Sequence, residues 1–304
     1  MGPTSVDPRH LSPGQNGGMD QQAVDDLITL LDLEQIEVNI FRGSSPDEDR
    51  QRVFGGQVAG QALVAATRTV PDKSVHSLHS YFLHAGDPTA PILYEVERIR
   101  QAKSFETRRV IAIQHGRPIF GLSASFQTAE EGYDHQMPMP TDIPDPETLP
   151  DFQTRMKPWK DRLGPWYDRP RPIDTRYCDW RNPDDTTPGP MLSNVWFRAN
   201  GTLPADPVLH ACIMTYASDM TVLDTSLSPH GGSGVGDVFM ASLDHAMWFH
   251  RPFRADEWML YAQDTPSASG GRGLGRGLIY TSEGQLVASV VQEGVIRPAR
   301  WSRR

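Results

Sequence analysis

The sequence lacks the features that define several large protein classes. It has only two cysteines in 304 residues, Cys178 and Cys212, which provide neither a disulfide framework nor a zinc site and favour a reducing compartment. No apolar run approaches the roughly 18 residues that cross a membrane. The net charge of -9 leaves no basic surplus, so the composition argues against a nucleic-acid-binding protein.

The residues at the two ends of the chain resemble neither of two common targeting signals. Residues 1–18 are rich in Gly, Pro and Ser and lack the apolar core of a secretory signal, which predicts either a disordered leader or added residues before a second possible start at Met19. The last residues, 300–304, do not form a peroxisomal address of the Ser-Lys-Leu type. We therefore expect a cytoplasmic protein.

The first part of the chain, residues 19–129, has the pattern of a helix-rich start followed by a meander of strands. Apolar spacing predicts an amphipathic helix over residues 24–37. Residues 53–67 are small or apolar on every side, which predicts a helix buried on all faces behind a pair of glycines. Alternation and turn residues predict the next elements, which are strands at 75–83, 92–100, 105–114 and 118–127.

A change in composition separates this unit from a second one. Residues 130–190 are dense in proline, carry scattered aromatics and lose periodicity, which predicts an inter-domain connection held to the surface by its aromatic side chains. Residues 191–304 then repeat the order of elements. The predicted elements are a strand at 195–201, an apolar helix at 207–218 and strands within 240–292.

The two units also share a sequence pattern, which aligns Ser77 with Ser242 and Gln127 with Gln292. Because the matches occur in the same order, they predict a duplicated domain. A buried helix beside a sheet that wraps it, present twice, predicts an α+β double hotdog whose long antiparallel sheets can pair edge to edge. The matched segments are 77–84 with 242–250, 92–94 with 259–261, and 123–127 with 288–292.

Six motifs give the chain a more specific likeness. From about residue 19 to residue 298 it resembles the acyl-CoA thioesterase II family, which has a fused double hotdog. The motifs that carry this resemblance are Arg52-Val53-Phe54-Gly55-Gly56-Gln57, His79-Ser80-Tyr81-Phe82, Ser104-Phe105 with Arg108-Arg109-Val110, Tyr216-Ala217-Ser218-Asp219, Asp244-His245-Ala246-Met247-Trp248-Phe249-His250-Arg251-Pro252, and Val291-Gln292-Glu293-Gly294-Val295.

The resemblance implies a hydrolase that cleaves acyl-CoA to free acid and coenzyme A without a cofactor, a metal or an acyl-enzyme. Its water would be held by Asp219, Ser242 and Gln292, with Asp219 as general base. Many relatives have Thr where this chain has Ser242, and either hydroxyl can fill that role. The resemblance further implies a homodimer or homotetramer.

Backbone amides at the start of the buried helix, those of Gly56 and Gln57, are candidates for an oxyanion site. The glycine-rich stretch 269–277 does not follow the strand-to-helix pattern of a dinucleotide fold, and we expect it to let the backbone pass close to the partner repeat. Its arginines and others could contact the phosphates of coenzyme A, or form a solvated charged edge instead. The candidates are Lys103, Arg108, Arg109, Arg272 and Arg276.

Two histidines suggest other chemistry. His245 and His250 are five residues apart on one predicted strand and therefore point to opposite faces, which disfavours a shared metal site. Ser242 lacks the Gly-x-Ser-x-Gly elbow of a serine hydrolase, so we expect buried structural roles for the histidines. Two alternatives stay open: an acyl-CoA hydratase or dehydratase, for which only His210 lies on a central helix, and a non-catalytic acyl-CoA sensor.

Overall fold

The computed structural model describes residues 17–46, 51–231 and 238–298. Of the predicted leader, only residues 17 and 18 fall within this part, where they begin α1. The α-helices are α1 (Gly17–Leu31), α2 (Gly55–Thr67), α3 (Phe152–Met156), α4 (Lys160–Leu163) and α5 (Pro207–Ser218). The strands are β1 (Glu34–Glu37), β2 (Ile40–Gly43), β3 (Ser74–Phe82), β4 (Ile92–Gln101), β5 (Phe105–Gln114), β6 (Arg117–Gln127), β7 (Ile173–Tyr177), β8 (Leu192–Ala199), β9 (Val238–Ser242), β10 (Asp244–Phe249), β11 (Met259–Ser269), β12 (Arg272–Thr281) and β13 (Leu286–Pro298).

The strands of the described residues form one antiparallel sheet of 13 strands, six in the N-terminal half and seven in the C-terminal half. Its order is β1-β2-β4-β5-β6-β3-β10-β13-β12-β11-β8-β7, with β9 beside β13. The halves join where β3 pairs with β10, so neither half has a free edge at the centre. Leu78 and Met247 face each other across this seam and are both fully buried. The predicted double hotdog is confirmed.

Helices α2 and α5 pack against each other inside the sheet. Every residue of α2 from Gly56 to Thr67 is buried, as its lack of a polar stripe predicted. A Cβ atom added to Gly56 would lie 2.3 Å from the carbonyl oxygen of Tyr216, and only glycine allows this approach. The start of α2 therefore lies directly against the end of α5.

The predicted helix over residues 24–37 is wrong at its C-terminal end. Helix α1 stops at Leu31, and residues 34–37 form β1, which pairs with β2. Leu33 is buried and Ile36 is 47% exposed, although both fit the helical spacing of apolar residues. Spacing alone could not detect the reversal of the chain after Asp32.

The internal repeat is real, but its register differs from the sequence alignment. In the N-terminal half, Tyr94 pairs with Ala112 on β5, and in the C-terminal half Tyr261 pairs with Ile279 on β12. Four residues before Ala112 lies Arg108, which pairs with Ala124 on the next strand. Four residues before Ile279 lies Gly275, which pairs with Gln292. The counterpart of Gln292 is thus Ala124, not Gln127.

A one-residue register shift marks the matching point on the adjacent strands. The shift falls between Val75 and Ser77 in β3, and between Ser242 and Ala246 where β9 gives way to β10. Strands β9 and β10 together therefore take the place of β3. The counterpart of Ser242 is Val75, not Ser77, and that of His245 is Leu78.

The connection carries more regular structure than its composition predicted. Strand β7 lies within residues 130–190 and pairs with β8 at the end of the sheet. Two aromatic pairs join parts of this segment to each other: the rings of Trp159 and Trp180 are 5.6 Å apart, and those of Phe152 and Trp166 are 5.1 Å apart. The domain limits 19–129 and 191–304 stay predictions.

The glycine-rich stretch serves its own half rather than the partner repeat. Gly270 and Gly271 form the β11–β12 turn with positive φ angles. A Cβ atom on Gly275 would lie 2.4 Å from the carbonyl oxygen of Val222, which precedes the 3-10 helix Asp224–His230. These glycines therefore let the segment after α5 approach β12. Separately, no helix in the described part of the chain is long and apolar enough to span a membrane.

Candidate active site

Asp219 ends helix α5 and faces the start of α2. It is the C-cap residue of α5, and the backbone N–H of Gly56 donates a hydrogen bond to its carboxylate. A Cβ atom on Gly55 would lie 2.8 Å from Asp219 Oδ2, so the glycine pair leaves room for this carboxylate. The positive end of the α2 dipole thus lies beside a negative charge.

Three predicted residues from different elements meet at this point. Gln292 Nε2 donates to Asp219 Oδ1 at 2.8 Å and to Ser242 Oγ at 2.8 Å. Ser242 Oγ lies 3.4 Å from the same carboxylate oxygen. Gln292 is fully buried, whereas Asp219 and Ser242 keep part of their surface accessible. The structure therefore brings the predicted acid, hydroxyl and amide into one hydrogen-bonded cluster.

A fourth residue, His245, determines how the amide is oriented. His245 Nδ1 lies 2.7 Å from Gln292 Oε1, and its Nε2 lies 2.9 Å from Ser218 Oγ. An amide oxygen can only accept, so Nδ1 carries the proton and donates. This bond holds the Gln292 NH₂ group toward Asp219, which as a carboxylate can only accept. His245 is buried, as predicted, but its link to the site was not foreseen.

Burial shifts the titration of the groups in and near the cluster. It raises the pKa of Asp219, although His245 and the bonds from Gln292, Gly56 and Ser242 oppose the shift. Burial lowers the pKa of His245, which favours the neutral imidazole. The carboxyl of Asp224 keeps an accessible surface in the neighbouring cavity, and desolvation together with the charge of Asp219 raises its pKa to about 7.

A cavity of about 880 Å³ lies next to the end of α5, and its lining includes Met220, the neighbour of Asp219, but not Asp219, Ser242 or Gln292. Phe54, Tyr216 and Met220 line it where it approaches Asp219, and α1 contributes Leu27 and Leu30. The opposite wall comes from the connection and from β7 and β8. This volume suits a ligand of the size of a drug or a cofactor.

Sequence comparison identifies the family. The chain is 42% identical over 288 residues to human acyl-coenzyme A thioesterase 8, and the alignment covers 88% of each protein. It is 40% identical over 284 residues to acyl-CoA thioesterase 2 of Haemophilus influenzae, covering 90% of this chain and 98% of that one. This chain belongs to the acyl-CoA thioesterase family. The thioester hydrolase that the motifs predicted is thereby confirmed.

Family models and solved structures agree with this assignment. An acyl-CoA thioesterase model matches residues 173–295 of the thioesterase, and an acyl-CoA thioesterase N-terminal domain model matches residues 45–127. The first model begins at the first residue of β7. The crystal structure of acyl-CoA thioesterase II TesB2 from Mycobacterium marinum has a TM-score of 0.74 and 46% identity, covering 90% of this chain and 98% of that chain.

The two oxyanion candidates lie at the start of α2, close to Asp219. The backbone N–H of Gly56 faces the Asp219 carboxylate and favours its ionised form, and its role as an oxyanion donor stays a prediction. The side chain of Gln57 lines the cavity and donates to the carbonyl oxygen of Ser44 at 3.1 Å and to Ser45 Oγ at 3.0 Å. An oxyanion role for the Gln57 backbone stays a prediction.

The cations predicted to bind phosphate do not gather at the active site. Arg108 is 1% exposed, its guanidinium donates to Thr69, to Glu106 and to backbone carbonyls, and it lies away from the Asp219 cavity. Arg109 pairs with Glu97 on the exposed face of the N-terminal half. Lys103 lines a separate shallow hollow of about 410 Å³ in that half.

The arginines of the glycine-rich stretch lie on the wrong face of the sheet. Arg272 pairs with Glu293 at 2.9 Å, and Glu293 points away from the face of its neighbour Gln292 because side chains alternate along a strand. Arg276 is held by Asp264 through two hydrogen bonds of 2.8 Å. Both arginines therefore fit the charged-edge alternative.

The cations that do line the active-site cavity come from the connection. Arg155, Arg169, Arg171 and Arg181 all contribute to its wall. Sequence patterns did not predict this, because the loss of periodicity over residues 130–190 hid which side chains turn inward. Among the described residues there is no cluster of three or more His, Cys, Asp or Glu side chains that could hold a metal ion.

Proposed function

We propose that this thioesterase hydrolyses fatty acyl-CoA by direct attack of a water molecule held by Asp219, Ser242 and Gln292. The observation that carries the proposal is the position of Gln292 Nε2, 2.8 Å from both Asp219 Oδ1 and Ser242 Oγ. A carboxylate, a hydroxyl and an amide that converge on one point can bind a small polar molecule in a fixed orientation.

In the proposed reaction, Asp219 accepts one proton from water as the water oxygen bonds to the thioester carbon. Collapse of the tetrahedral intermediate breaks the carbon–sulfur bond. The coenzyme A thiolate leaves and takes the proton from Asp219, which restores the carboxylate. The raised pKa of Asp219 suits this role, because a general base works best when its pKa is close to the operating pH.

His245 acts here as a positioning residue. Its Nδ1–H holds the Gln292 amide so that the NH₂ group faces Asp219 and Ser242. The hydroxyl of Ser242 accepts from Gln292 and directs its own proton to Asp219 Oδ1 at 3.4 Å, a long contact that the attacking water would replace. The three groups therefore have separate roles, since Asp219 removes a proton while Ser242 and Gln292 orient the water.

The first test is release of free coenzyme A from saturated acyl-CoAs by the wild type and by Asp219→Asn. We expect kcat to fall by about 10²- to 10⁴-fold, the usual contribution of a general base. Asp244→Asn is the matched control: Asp244 lies close by on β10 but accepts from the backbone N–H of Glu293 instead of Gln292, so its activity should stay near wild type. Equal loss in both variants would contradict the assignment.

A second measurement separates direct attack from an acyl-enzyme. In a single turnover in oxygen-18 water, direct attack places the label in the fatty acid and leaves the peptide that contains Asp219 unlabelled. Label in that peptide, or an acyl group trapped on it, would replace the proposal with covalent catalysis.

Neither alternative function has comparable support. A hydratase would use a histidine beside an acid on a central helix, but His210 lies in the first turn of α5, and its Nδ1 accepts from the backbone N–H of Ala255 at 3.0 Å. Asp219 is at the opposite end of the same helix. A non-catalytic sensor would bind acyl-CoA and release no thiol, which the first experiment detects. Compartment and oligomeric state stay predictions.

A further inference from the structure

The cavity beside Asp219 has one wall of unusual chemistry. Where it approaches the catalytic cluster it is lined by Phe54, Tyr216 and Met220, and the far wall is formed by the connection. That wall contains a buried arginine, Arg155 of α3, which is 6% exposed. A cavity with one apolar and one cationic wall suits a ligand with an apolar part and an anionic part.

Arg155 has fewer partners than a buried arginine normally has. Its Nη1 donates to the carbonyl oxygen of Thr175 at 2.8 Å, and its guanidinium carbon lies 4.6 Å from the centre of the Tyr177 ring. Nε is buried without a hydrogen-bond partner. Across the described residues, no carboxylate forms an ion pair with Arg155, and the charges of Asp174 and Asp151 act on it from farther away.

Arg176, on the neighbouring strand β7, shows how the same fold satisfies an arginine. Its guanidinium donates three hydrogen bonds to Asp174, at 2.7 to 3.1 Å, and a fourth to the carbonyl oxygen of Leu149. Arg176 is absent from the cavity wall, whereas Arg155 belongs to it. Of these two arginines, the one without an ion-pair partner, Arg155, is therefore the one that lines the cavity.

A buried charge without a direct ion-pair partner is costly, and burial lowers the pKa of Arg155. Arginine nevertheless stays protonated in proteins, so the cost falls on folding and is recovered when an anion binds. A guanidinium presents paired donors that match the oxygens of a phosphate or a carboxylate. Among the described acids that line the cavity, Asp185 is bound by Arg181, and none forms an ion pair with Arg155.

We propose that Arg155 binds an anionic oxygen group of the acyl-CoA substrate, a phosphate or a carboxylate, at the connection side of the cavity. The proposal rests on the proposed function, because it takes the substrate to lie between Asp219 and the connection. It gives the connection a role in substrate binding rather than only in linking the two hotdogs. A phosphate would come from coenzyme A, and a carboxylate from the far end of a dicarboxylic acyl chain.

Three substrates distinguish the two sources: decanoyl-CoA, decanoyl-pantetheine, which has no phosphate, and decanoyl-pantetheine with a terminal carboxylate. The variant is Arg155→Gln. Loss of a charged hydrogen bond corresponds to about 10- to 100-fold in kcat/KM. If the anion is a phosphate, only decanoyl-CoA loses this factor. If it is a carboxylate, only the carboxylated substrate does.

Two further proteins keep the test decisive. Lys160→Gln removes one positive charge from an exposed position of the connection outside the cavity, so all three kcat/KM values should stay at wild type. Arg155→Lys, with its melting temperature measured, controls for folding and should restore part of the loss. Unchanged rates in a folded Arg155→Gln protein, or equal loss on all three substrates, would overturn the proposal.

Calorimetric titration with free coenzyme A separates this proposal from the proposed function. If the wild type binds coenzyme A but hydrolyses none of the three thioesters, the catalytic assignment fails. Weaker binding by Arg155→Gln, by about 10-fold or more, would then still support the arginine as a phosphate site. Equal binding by the two proteins would overturn the phosphate source.

Discussion

The two hotdog halves share one backbone plan but fill it with different side chains at one place. At the candidate active site of the C-terminal half the inward positions are polar or carry no side chain. At the matching place in the N-terminal half they are apolar, apart from one arginine that is satisfied internally. The counterparts are Val75 for Ser242, Leu78 for His245, Ala124 for Gln292 and Arg108 for Gly275.

This difference shows that the duplicated fold supplies a location and that individual side chains decide whether it becomes a site. The register shift bends the strand and changes the direction of its side chains in both halves, as β-bulges next to active sites often do. Only in the C-terminal half does it present a hydroxyl. In the N-terminal half, Arg108 stands at the position that matches Gly275. Its side chain occupies the space beside the strand, and its guanidinium donates to Thr69 and Glu106.

Among exchanges between the two halves, the largest effect should come from giving His245 the side chain of its counterpart. In His245→Leu the Gln292 amide loses the donor that fixes its orientation, and we expect kcat to fall by about 10- to 100-fold, since a lost buried hydrogen bond leaves its partner unsatisfied. KM should change little, because His245 does not line the cavity. Steady-state kinetics of the folded variant measure this split.

A conservative variant tests whether orientation is the cause. The Nδ2 group of His245→Asn can take the place of imidazole Nδ1, so this variant should recover much of the lost kcat. Ser218→Ala removes the other contact of His245, the one from Nε2, and should have a smaller effect. If His245→Asn were as slow as His245→Leu, a purely structural role would explain the histidine better.

Gly275 tests the second part of the comparison, the space above β12. A Cβ atom there would meet the carbonyl oxygen of Val222 at 2.4 Å, so Gly275→Ala must displace the segment that follows Asp219. We expect the free energy of unfolding to fall by at least about 2 kcal/mol, as for other overpacked sites, and activity to fall with it. Denaturant unfolding measures the first quantity.

The matched control is a strand glycine of the other half. A Cβ atom on Gly121 of β6 would meet only Ile111 Cδ1, at an ordinary 3.5 Å. Gly121→Ala should therefore leave the free energy of unfolding unchanged or raise it slightly, because alanine lowers the conformational entropy of the unfolded chain. Similar losses in the two variants would show that β12 has no special need for glycine.

Most of the scaffold could be predicted from the sequence, because its signals are local. Helix α5 has the predicted limits, and β4 and β5 agree to within one residue. The end of α1 was wrong because apolar spacing does not reveal where a chain reverses. The alignment of the two halves drifted because short strands draw on few residue types, and only hydrogen-bonded register decides between neighbouring positions.

The site was predictable only in part, for a related reason. Asp219, Ser242 and Gln292 lie on three elements distant in sequence, and family resemblance, not spacing, suggested them. The link from His245 to Gln292 depends on a contact of 2.7 Å across two strands. Charge is visible in a sequence, but burial and pairing are not. Pairing distinguishes Arg108, which is bound within its own half, from Arg155, which is the candidate ligand for an anion.

The pKa values of two acids, Glu106 in the N-terminal half and Asp219 in the C-terminal half, should be shifted in opposite directions. Lys73 and Arg108 hold the pKa of Glu106 below its usual value, whereas burial raises the pKa of Asp219. Because only the ionised form of Asp219 can accept a proton, kcat/KM should fall as the pH drops through this raised pKa, before a free aspartate would be protonated. A pH–rate profile measures this limb, and Asp244→Asn should not move it.

The smallest effect should come from exchanging one hydroxyl for another at Ser242. Threonine keeps the oxygen that accepts from Gln292 Nε2, so Ser242→Thr should retain kcat to within about threefold. Ser242→Val, which has nearly the shape of threonine and matches Val75 of the other half, should lose about tenfold, the value of one hydrogen bond. The rates of acyl-CoA hydrolysis by the two variants are compared after their melting temperatures are shown to be equal. The difference then gives the contribution of the hydroxyl oxygen. If valine were as active as threonine, the hydroxyl would have no part in holding the water, and Asp219 with Gln292 would be the whole of the site.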